Sequence, residues 1–165
     1  DKDKRIKKPI IPSDEDYHVK KPSPEYFDDC CNEFWWVSTY VAKGLLRREI
    51  LYATEHLNFH LRPELLRMMA WKVGIETDFS VSVGKSYKYI DKYLSKDVWN
   101  RLLSTYKNST YEEVWDALFE CYSLFRETSK FVAKELGYRY PDYDENVTKY
   151  IKKLYKSKVE KRPGA

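Results

Sequence analysis

The segment from Pro24 to Arg47 repeats apolar residues at intervals of three and four, and this spacing most constrains the fold. Such residues share one face of an α-helix, in which successive side chains are rotated by about 100°. The residues on this face are Phe27, Cys30, Phe34, Val37, Val41 and Leu45. Ser23 is placed as an N-cap and Pro24 as the first helical residue. The pattern predicts a helix over 24–47 whose apolar face packs in a core.

Similar patterns and capping signals predict the other helices along the chain. They are a segment over 49–73 kinked or split at Pro63 and stopped by Gly74, two short helices over 85–94 and 95–106, a long helix from a Ser109–Glu112 capping box to Leu136 ended by Gly137, and a last helix opened by Asp142 and Glu145. The alternating run over 75–85 is short enough to be a loop. The sequence therefore predicts an all-α fold, a helical bundle of about six helices.

Composition narrows the class of protein and its partners. The chain has 165 residues, with 30 Lys and Arg against 26 Asp and Glu, and this small positive charge does not indicate nucleic-acid binding. No apolar run approaches the ~20 residues of a membrane span, and the charged N-terminus is unlike a signal peptide. These features predict a cytosolic protein without membrane attachment. Three cysteines, with no C-x-x-C spacing, do not suggest a disulfide framework or a zinc site.

Two regions differ in composition. Residues 1–23 contain prolines and many charges without a helical period, which is typical of an extended linker. Residues 24–160 carry the helical patterns and are predicted to form one helical domain.

The first predicted helix carries a second stripe, about 135° from its apolar face. The stripe consists of Asp29, Glu33, Trp36, Tyr40, Lys43 and Arg47. It is either a solvated face whose aromatic residues pack on a neighbouring helix or a binding face. In a binding face, acids and aromatic rings hold a cation, while Lys43 and Arg47 neutralise phosphate. Spacing alone leaves both interpretations open.

Four blocks closely resemble a known family. They are DDCCNEFWWVSTYVAKGLLRREILYA, RPELLRMMAW, GKSYKYIDKYL and YPDYDENVTKY. In this order they are similar to the C-terminal part of bacterial aminoglycoside 6-adenylyltransferases, which modify streptomycin. The resemblance implies a helical substrate-binding domain that follows an N-terminal nucleotidyltransferase domain. The intact enzyme is expected to bind Mg²⁺ and ATP and to transfer AMP to a drug hydroxyl, giving antibiotic resistance.

The catalytic part of that family is absent from this sequence. No Gly-Ser motif is followed by an Asp-x-Asp strand, and the spacings Asp1/Asp3, Asp14/Asp16 and Asp142/Asp144 are best explained by chance in charged segments. The chain is therefore predicted not to catalyse by itself. The alternative is a free-standing helical interaction module, in which the mixed stripe contacts a protein partner.

The resemblance implies roles for single residues. A lysine of the helical domain contacts the triphosphate in related kanamycin-modifying enzymes, and Lys43 is the candidate here, with Arg47 beside it. Streptomycin carries guanidinium groups, so carboxylates and aromatic faces should contact it. The candidates for drug binding are Asp28, Asp29, Glu33 and Tyr40. The relatives place a carboxylate base where this chain has Thr39, so the base is Glu33, Asp29 or a residue of the other domain.

Other residues are given lesser roles. Trp36 occupies an unspecified position of the family block and is predicted to pack. Asp142 and Asp144 are outside candidates for drug binding, since helix capping also explains them. His56 and His60 have the i, i+4 spacing of a metal pair, but packing or solvent exposure is the favoured interpretation.

Overall fold

The computed structural model describes residues 13–160, in which it contains six α-helices and no strand. The helices are α1 Pro24–Leu46, α2 Ile50–His56, α3 Arg62–Glu76, α4 Lys96–Ser104, α5 Tyr111–Leu136 and α6 Tyr143–Glu160. A π-helical turn, Leu57–Leu61, joins α2 to α3 without a break. The all-α bundle predicted from the sequence is confirmed.

The core lies between α1, α3 and α5. Each of these helices contacts the other two, while α2 and α6 pack on α1 and α4 packs on α5. The six residues of the predicted apolar face of α1 are all buried. Phe34 of this face stacks on Phe125 of α5, with ring centroids 3.7 Å apart and planes nearly parallel. The predicted core face of α1 is therefore confirmed.

The predicted linker lies partly outside the described residues, since nothing before residue 13 is included. Its remaining part contacts the helical domain. The Val19 amide donates to the Val81 carbonyl at 3.0 Å, and the Tyr138 hydroxyl donates to the carbonyl of Pro22, a buried residue, at 2.7 Å. Residues 13–23 are thus tied to the domain by hydrogen bonds.

Capping residues set most helix ends. The Ser23 hydroxyl accepts from the Tyr26 amide at 3.1 Å, so α1 begins where it was predicted to begin. At α5 the capping box uses Thr110 and Glu113, one residue later than the predicted pair. The Glu113 carboxylate accepts from the amides of both Ser109 and Thr110, which satisfies two donors at once. Gly137 ends α5 in the left-handed conformation, as predicted.

Gly74 does not stop the second helical segment, and that prediction was wrong. The helix continues to Glu76, and the chain then turns back so that Phe79 lies over Gly74. A Cβ at this position would lie 2.6 Å from the Phe79 ring and 3.0 Å from Val19. The sequence needs glycine here for close packing and not for termination.

The helix predicted over 85–94 was also wrong. The segment forms two short 3₁₀ turns, Lys85–Tyr87 and Ile90–Lys92. Ser86 and Tyr87 have positive φ angles of 56° and 60°, which a right-handed α-helix cannot contain.

Candidate functional site

The second stripe of α1 faces solvent. Asp29, Glu33, Lys43 and Arg47 are exposed, and Tyr40 is partly buried. The stripe lies outside the core because α2, α3, α5 and α6 cover the other sides of α1. Its chemistry changes along the helix from acid, through aromatic, to base.

Trp36 is the most exposed aromatic residue of this stripe, at 59%. Its ring meets that of Tyr40 edge to face at 5.9 Å. The neighbouring Trp35 is 1% exposed and packs against Tyr122 instead. Trp36 was predicted to pack, and it does so only against Tyr40 while the rest of its ring is exposed, because consecutive residues of a helix point about 100° apart and Trp35 is the one that faces α5.

Two cations lie at the C-terminal end of the stripe. The Lys43 ammonium is 5.2 Å from the Tyr40 ring centroid, and Arg47 caps α1. Neither side chain forms an ion pair with another part of residues 13–160. Both charges are thus available to an anion such as phosphate.

The acids of the stripe are likewise exposed. Over residues 13–160, Glu33 and Asp29 have no cationic partner of their own. Glu33 lies one turn before Trp36, so a carboxylate adjoins the exposed rings. The arrangement suits a cationic ligand that also has an apolar or flat part.

Asp28 belongs to a different region. It lines an open groove of about 360 Å³ with Arg139 and Asp142, at the start of α1. A helix rises about 1.5 Å per residue, so Asp28 lies about 22 Å along the axis from Lys43. The structure therefore places Asp28 far from Lys43, although it adjoins Asp29 in the sequence.

Asp144 is a structural residue and not an exposed drug ligand. Its side chain is 1% exposed. Arg126 binds both carboxylate oxygens, and the Tyr140 hydroxyl donates to one of them at 2.7 Å. Burial alone would raise the pKa of Asp144, but the hydrogen bonds from Arg126 and Tyr140 outweigh it and hold the pKa below its ordinary value. Asp142 is exposed and lies 3.9 Å from Arg139.

A second helix contributes rings to the surface that α1 presents. The His56 ring lies 5.6 Å from that of Tyr40, 4.2 Å from that of Tyr52 and 5.4 Å from that of His60. We call these rings, together with that of Trp36, the aromatic cluster. Its members are Trp36, Tyr40, Tyr52, His56 and His60.

Sequence reasoning missed this grouping. His56 is partly buried and His60 is exposed, as the favoured interpretation stated, but both take part in ring contacts. The i, i+4, i+8 spacing of Tyr52, His56 and His60 was a usable sign, since such residues lie along one helix face. Their contact with Tyr40 depends on how α2 packs on α1.

The π-helical turn contains His60, the last member of the aromatic cluster along the chain. Within it the Arg62 amide donates to the Leu57 carbonyl, five residues earlier. The buried Arg62 side chain fixes the turn by hydrogen bonds to Asn58 and to the hydroxyl and carbonyl of Thr105, and it stacks on Tyr106 at 3.9 Å. π-helical turns are frequent at functional sites.

Metal ligation requires a denser set of donors than the described residues offer. No group of three or more His, Cys, Asp or Glu side chains is arranged to hold a metal ion within residues 13–160. The His56 and His60 rings contact each other at a tilt of 38°.

Comparison with known proteins identifies the family. The family model described as streptomycin adenylyltransferase matches residues 1–154. The chain belongs to this family.

Curated relatives in the family are similar over nearly the whole chain. The aminoglycoside 6-adenylyltransferase of Bacillus subtilis (strain 168) is 53% identical over 155 residues, which is 94% of this chain and 55% of that protein. The Campylobacter jejuni protein of the same name is 51% identical over 92% of this chain and 52% of its own length. The chain spans about half the length of these relatives.

A solved structure supports the same assignment. The crystal structure of an aminoglycoside 6-adenyltransferase from Bacillus subtilis matches with a TM-score of 0.78 and 52% identity. The match covers 89% of this chain and 57% of that one. Across residues 13–160, none of the helices has both the length and the apolar character required of a membrane span.

Proposed function

We propose that this chain is the helical, substrate-binding part of an aminoglycoside 6-adenylyltransferase that works in the cytosol. The intact enzyme transfers AMP from Mg-ATP to a hydroxyl group of an aminoglycoside such as streptomycin. The observation that carries the proposal is the surface of α1, with an exposed Trp36 ring and with exposed acids and cations that form no ion pair within residues 13–160. It occurs in a member of the family that spans about half the length of its relatives.

In this proposal, different residues of the surface bind the two substrates, ATP and the drug. Lys43 and Arg47 neutralise the phosphates of ATP, because an ammonium and a guanidinium form strong charge-assisted hydrogen bonds to phosphate oxygens. Glu33 and Asp29, toward the other end of the stripe, contact the cationic drug together with Tyr40, which lies next to Lys43. In this proposal one of these two carboxylates accepts the hydroxyl proton, unless the nucleotidyltransferase domain supplies the base.

Magnesium ions belong to the nucleotidyltransferase domain in this proposal. Bound there, they would stabilise charge on the transferred phosphoryl group. The residues of this chain bind and orient the two substrates and neutralise the phosphate charge. They contribute to catalysis through positioning and electrostatic stabilisation.

A hybrid enzyme tests the proposal. The segment of the Bacillus subtilis relative that matches this chain is replaced by residues 1–165, and AMP transfer to streptomycin is followed by release of pyrophosphate. The expected result is drug-dependent turnover. A folded hybrid that binds neither ATP nor streptomycin would contradict the proposal.

Lys43→Ala in the hybrid tests the nucleotide role. The kcat/KM for ATP should fall roughly tenfold or more, because a charge-assisted hydrogen bond contributes about 1.5–3 kcal/mol. Lys134→Ala is the matched control, since Lys134 is also exposed but lies on α5. An unchanged kcat/KM for ATP in the Lys43 variant removes this residue from the site.

One observation favours the interaction module as the second candidate. Leu51 and Phe59, which flank the aromatic cluster, are 83% and 70% exposed. Exposed apolar side chains beside aromatic residues are common in protein interfaces. Self-association of the purified chain that Phe59→Ser abolishes, combined with no drug binding, would favour this function.

A further inference from the structure

The aromatic cluster forms a continuous row of rings across two helices. Trp36 contacts Tyr40 on α1, Tyr40 contacts His56 on α2, and His56 contacts both Tyr52 and His60. Trp36 and Tyr52 are 59% and 41% exposed, so ring faces are open to solvent. Exposed rings in mutual contact offer a ready surface for stacking.

One member of the cluster has a fixed hydrogen-bonding role. The His56 Nδ1 atom lies 2.9 Å from the Tyr52 carbonyl oxygen. A carbonyl oxygen only accepts, so Nδ1 carries the proton in this bond. In the neutral ring the Nε2 atom then bears a lone pair and accepts a hydrogen bond from a ligand.

One ring of the aromatic cluster, that of Tyr40, already contacts a cation of the chain, the Lys43 ammonium. The Lys43 ammonium lies 5.2 Å from the centroid of Tyr40. Glu33 on α1 and Glu55 on α2 are exposed, and neither pairs with a cation elsewhere in residues 13–160. Ring faces, an acceptor nitrogen and adjoining carboxylates together fit a flat cation that donates hydrogen bonds. A guanidinium group has this shape, charge and set of donors.

We propose that the aromatic cluster binds a guanidinium group of the aminoglycoside, with Tyr52, His56 and His60 completing a site that α1 only begins. The inference rests on the proposed function and deepens it. The guanidinium plane stacks on the rings, and one N–H donates to His56 Nε2. An ammonium group has no plane to stack, so this site discriminates in favour of drugs that carry guanidinium groups.

The three histidines of the chain provide a direct test. His56 and His60 belong to the cluster, whereas His18 lies in the segment before α1, next to Asp14. The imidazole proton signals of the purified chain are assigned with His→Gln variants and followed by NMR during titration with streptomycin. The His56 and His60 signals should shift and saturate together, while that of His18 stays in place.

Variants and a second drug sharpen the test. Tyr52→Leu and His56→Gln should each weaken streptomycin binding about fivefold, as expected for loss of one cation–ring contact or one ligand hydrogen bond. Tyr150→Leu, an exposed tyrosine on α6, is the control and should change nothing. Kanamycin, which carries ammonium groups but no guanidinium, should shift the two histidine signals far less.

Each contrary result has a distinct meaning. If the two histidine signals do not move at millimolar streptomycin, the inference is overturned, whereas turnover by the hybrid enzyme would still support the proposed function. Equal shifts with kanamycin would overturn the selectivity for guanidinium. Streptomycin affinity unaffected by Tyr52→Leu and His56→Gln would remove α2 from the site.

Discussion

Asp144 is buried and Lys43 is exposed, so we expect their substitutions to affect different properties of the protein. Asp144 is enclosed by Arg126, Tyr140 and Thr148, so its charge is part of the packing between α5 and α6. The Lys43 ammonium lies over the ring of Tyr40, and the Lys43 side chain is exposed. Loss of Asp144 should therefore affect stability, and loss of Lys43 should affect substrate use.

Asp144→Asn should lower the free energy of unfolding by about 2 kcal/mol, because it leaves the partly buried Arg126 guanidinium without its charged hydrogen-bond partner. Asp142→Asn is the control at an exposed position and should stay within about 0.5 kcal/mol. Chemical denaturation followed by circular dichroism measures both. Equal stabilities for the two variants would show that the network contributes little.

The same network predicts a dependence on pH. Because the pKa of Asp144 is lower in the folded state than its ordinary value, its stabilisation is present above about pH 4 and is lost as the pH falls below that. The free energy of unfolding of the wild type should therefore fall more steeply in acid than that of Asp144→Asn. Parallel curves for the two proteins below pH 4 would contradict this assignment.

At the scale of elements, the packing of α3 depends on the close approach of the Phe79 ring to Gly74. Gly74 lies inside the helix, where the Phe79 ring returns over it. Gly74→Ala should destabilise the chain by about 1–3 kcal/mol, since the new methyl group overlaps the ring. The cost should shrink in a Phe79→Ala background, and a double-mutant cycle measures that coupling.

Gly137→Ala is the control for this effect. No atom lies within 4 Å of a Cβ there, so its cost of about 1 kcal/mol comes only from the left-handed backbone at φ +71°. It should show no coupling to Phe79. If the losses in unfolding free energy caused by Gly74→Ala and Phe79→Ala are additive, the new methyl group does not clash with the Phe79 ring.

At the scale of the whole molecule, the reactivity of the three cysteine thiols can be used to follow the unfolding of the core. Cys30 and Cys31 lie on α1 and Cys121 on α5, and all three are buried. Burial raises the pKa of Cys121 to about 12 and raises those of Cys30 and Cys31. Because the thiolate is the reactive form, native thiols should resist labelling.

The midpoint of thiol labelling in denaturant should coincide with loss of helical circular dichroism. α1 and α5 are packed together, so neither exposes its cysteines while the other remains folded. Early labelling of Cys121 alone would reveal separate unfolding of α5. Cys121→Ala and the Cys30→Ala/Cys31→Ala pair distinguish the sites.

Local signals predicted much of this architecture. Ser23 and Gly137 mark helix ends through contacts within a few residues, and the apolar spacing of α1 identifies its buried face. The same information could not give the backbone of Ser86 and Tyr87, because left-handed residues other than glycine are set by surrounding packing.

The candidate site was predictable only in part. The stripe of α1 follows from helical geometry, so the sequence alone predicts that Glu33, Tyr40 and Lys43 share one side of the helix. The contact of His56 with Tyr40 joins residues of two helices, and no periodicity within one segment encodes it. Helical geometry places Trp36 on this stripe, whereas the burial of Trp35 depends on the position of α5.

The π-helical turn has a consequence for aligning this chain with its relatives. A π turn holds one residue more than the α-helical turn it replaces, so losing one residue from Leu57–Leu61 would straighten the helix while α3 keeps its place. A single-position gap over 57–61, flanked by well-matched columns, would then mark a relative in which His56 and His60 no longer have this spacing. Such a gap separates members that retain the ring row from members that do not, before any of their structures is known.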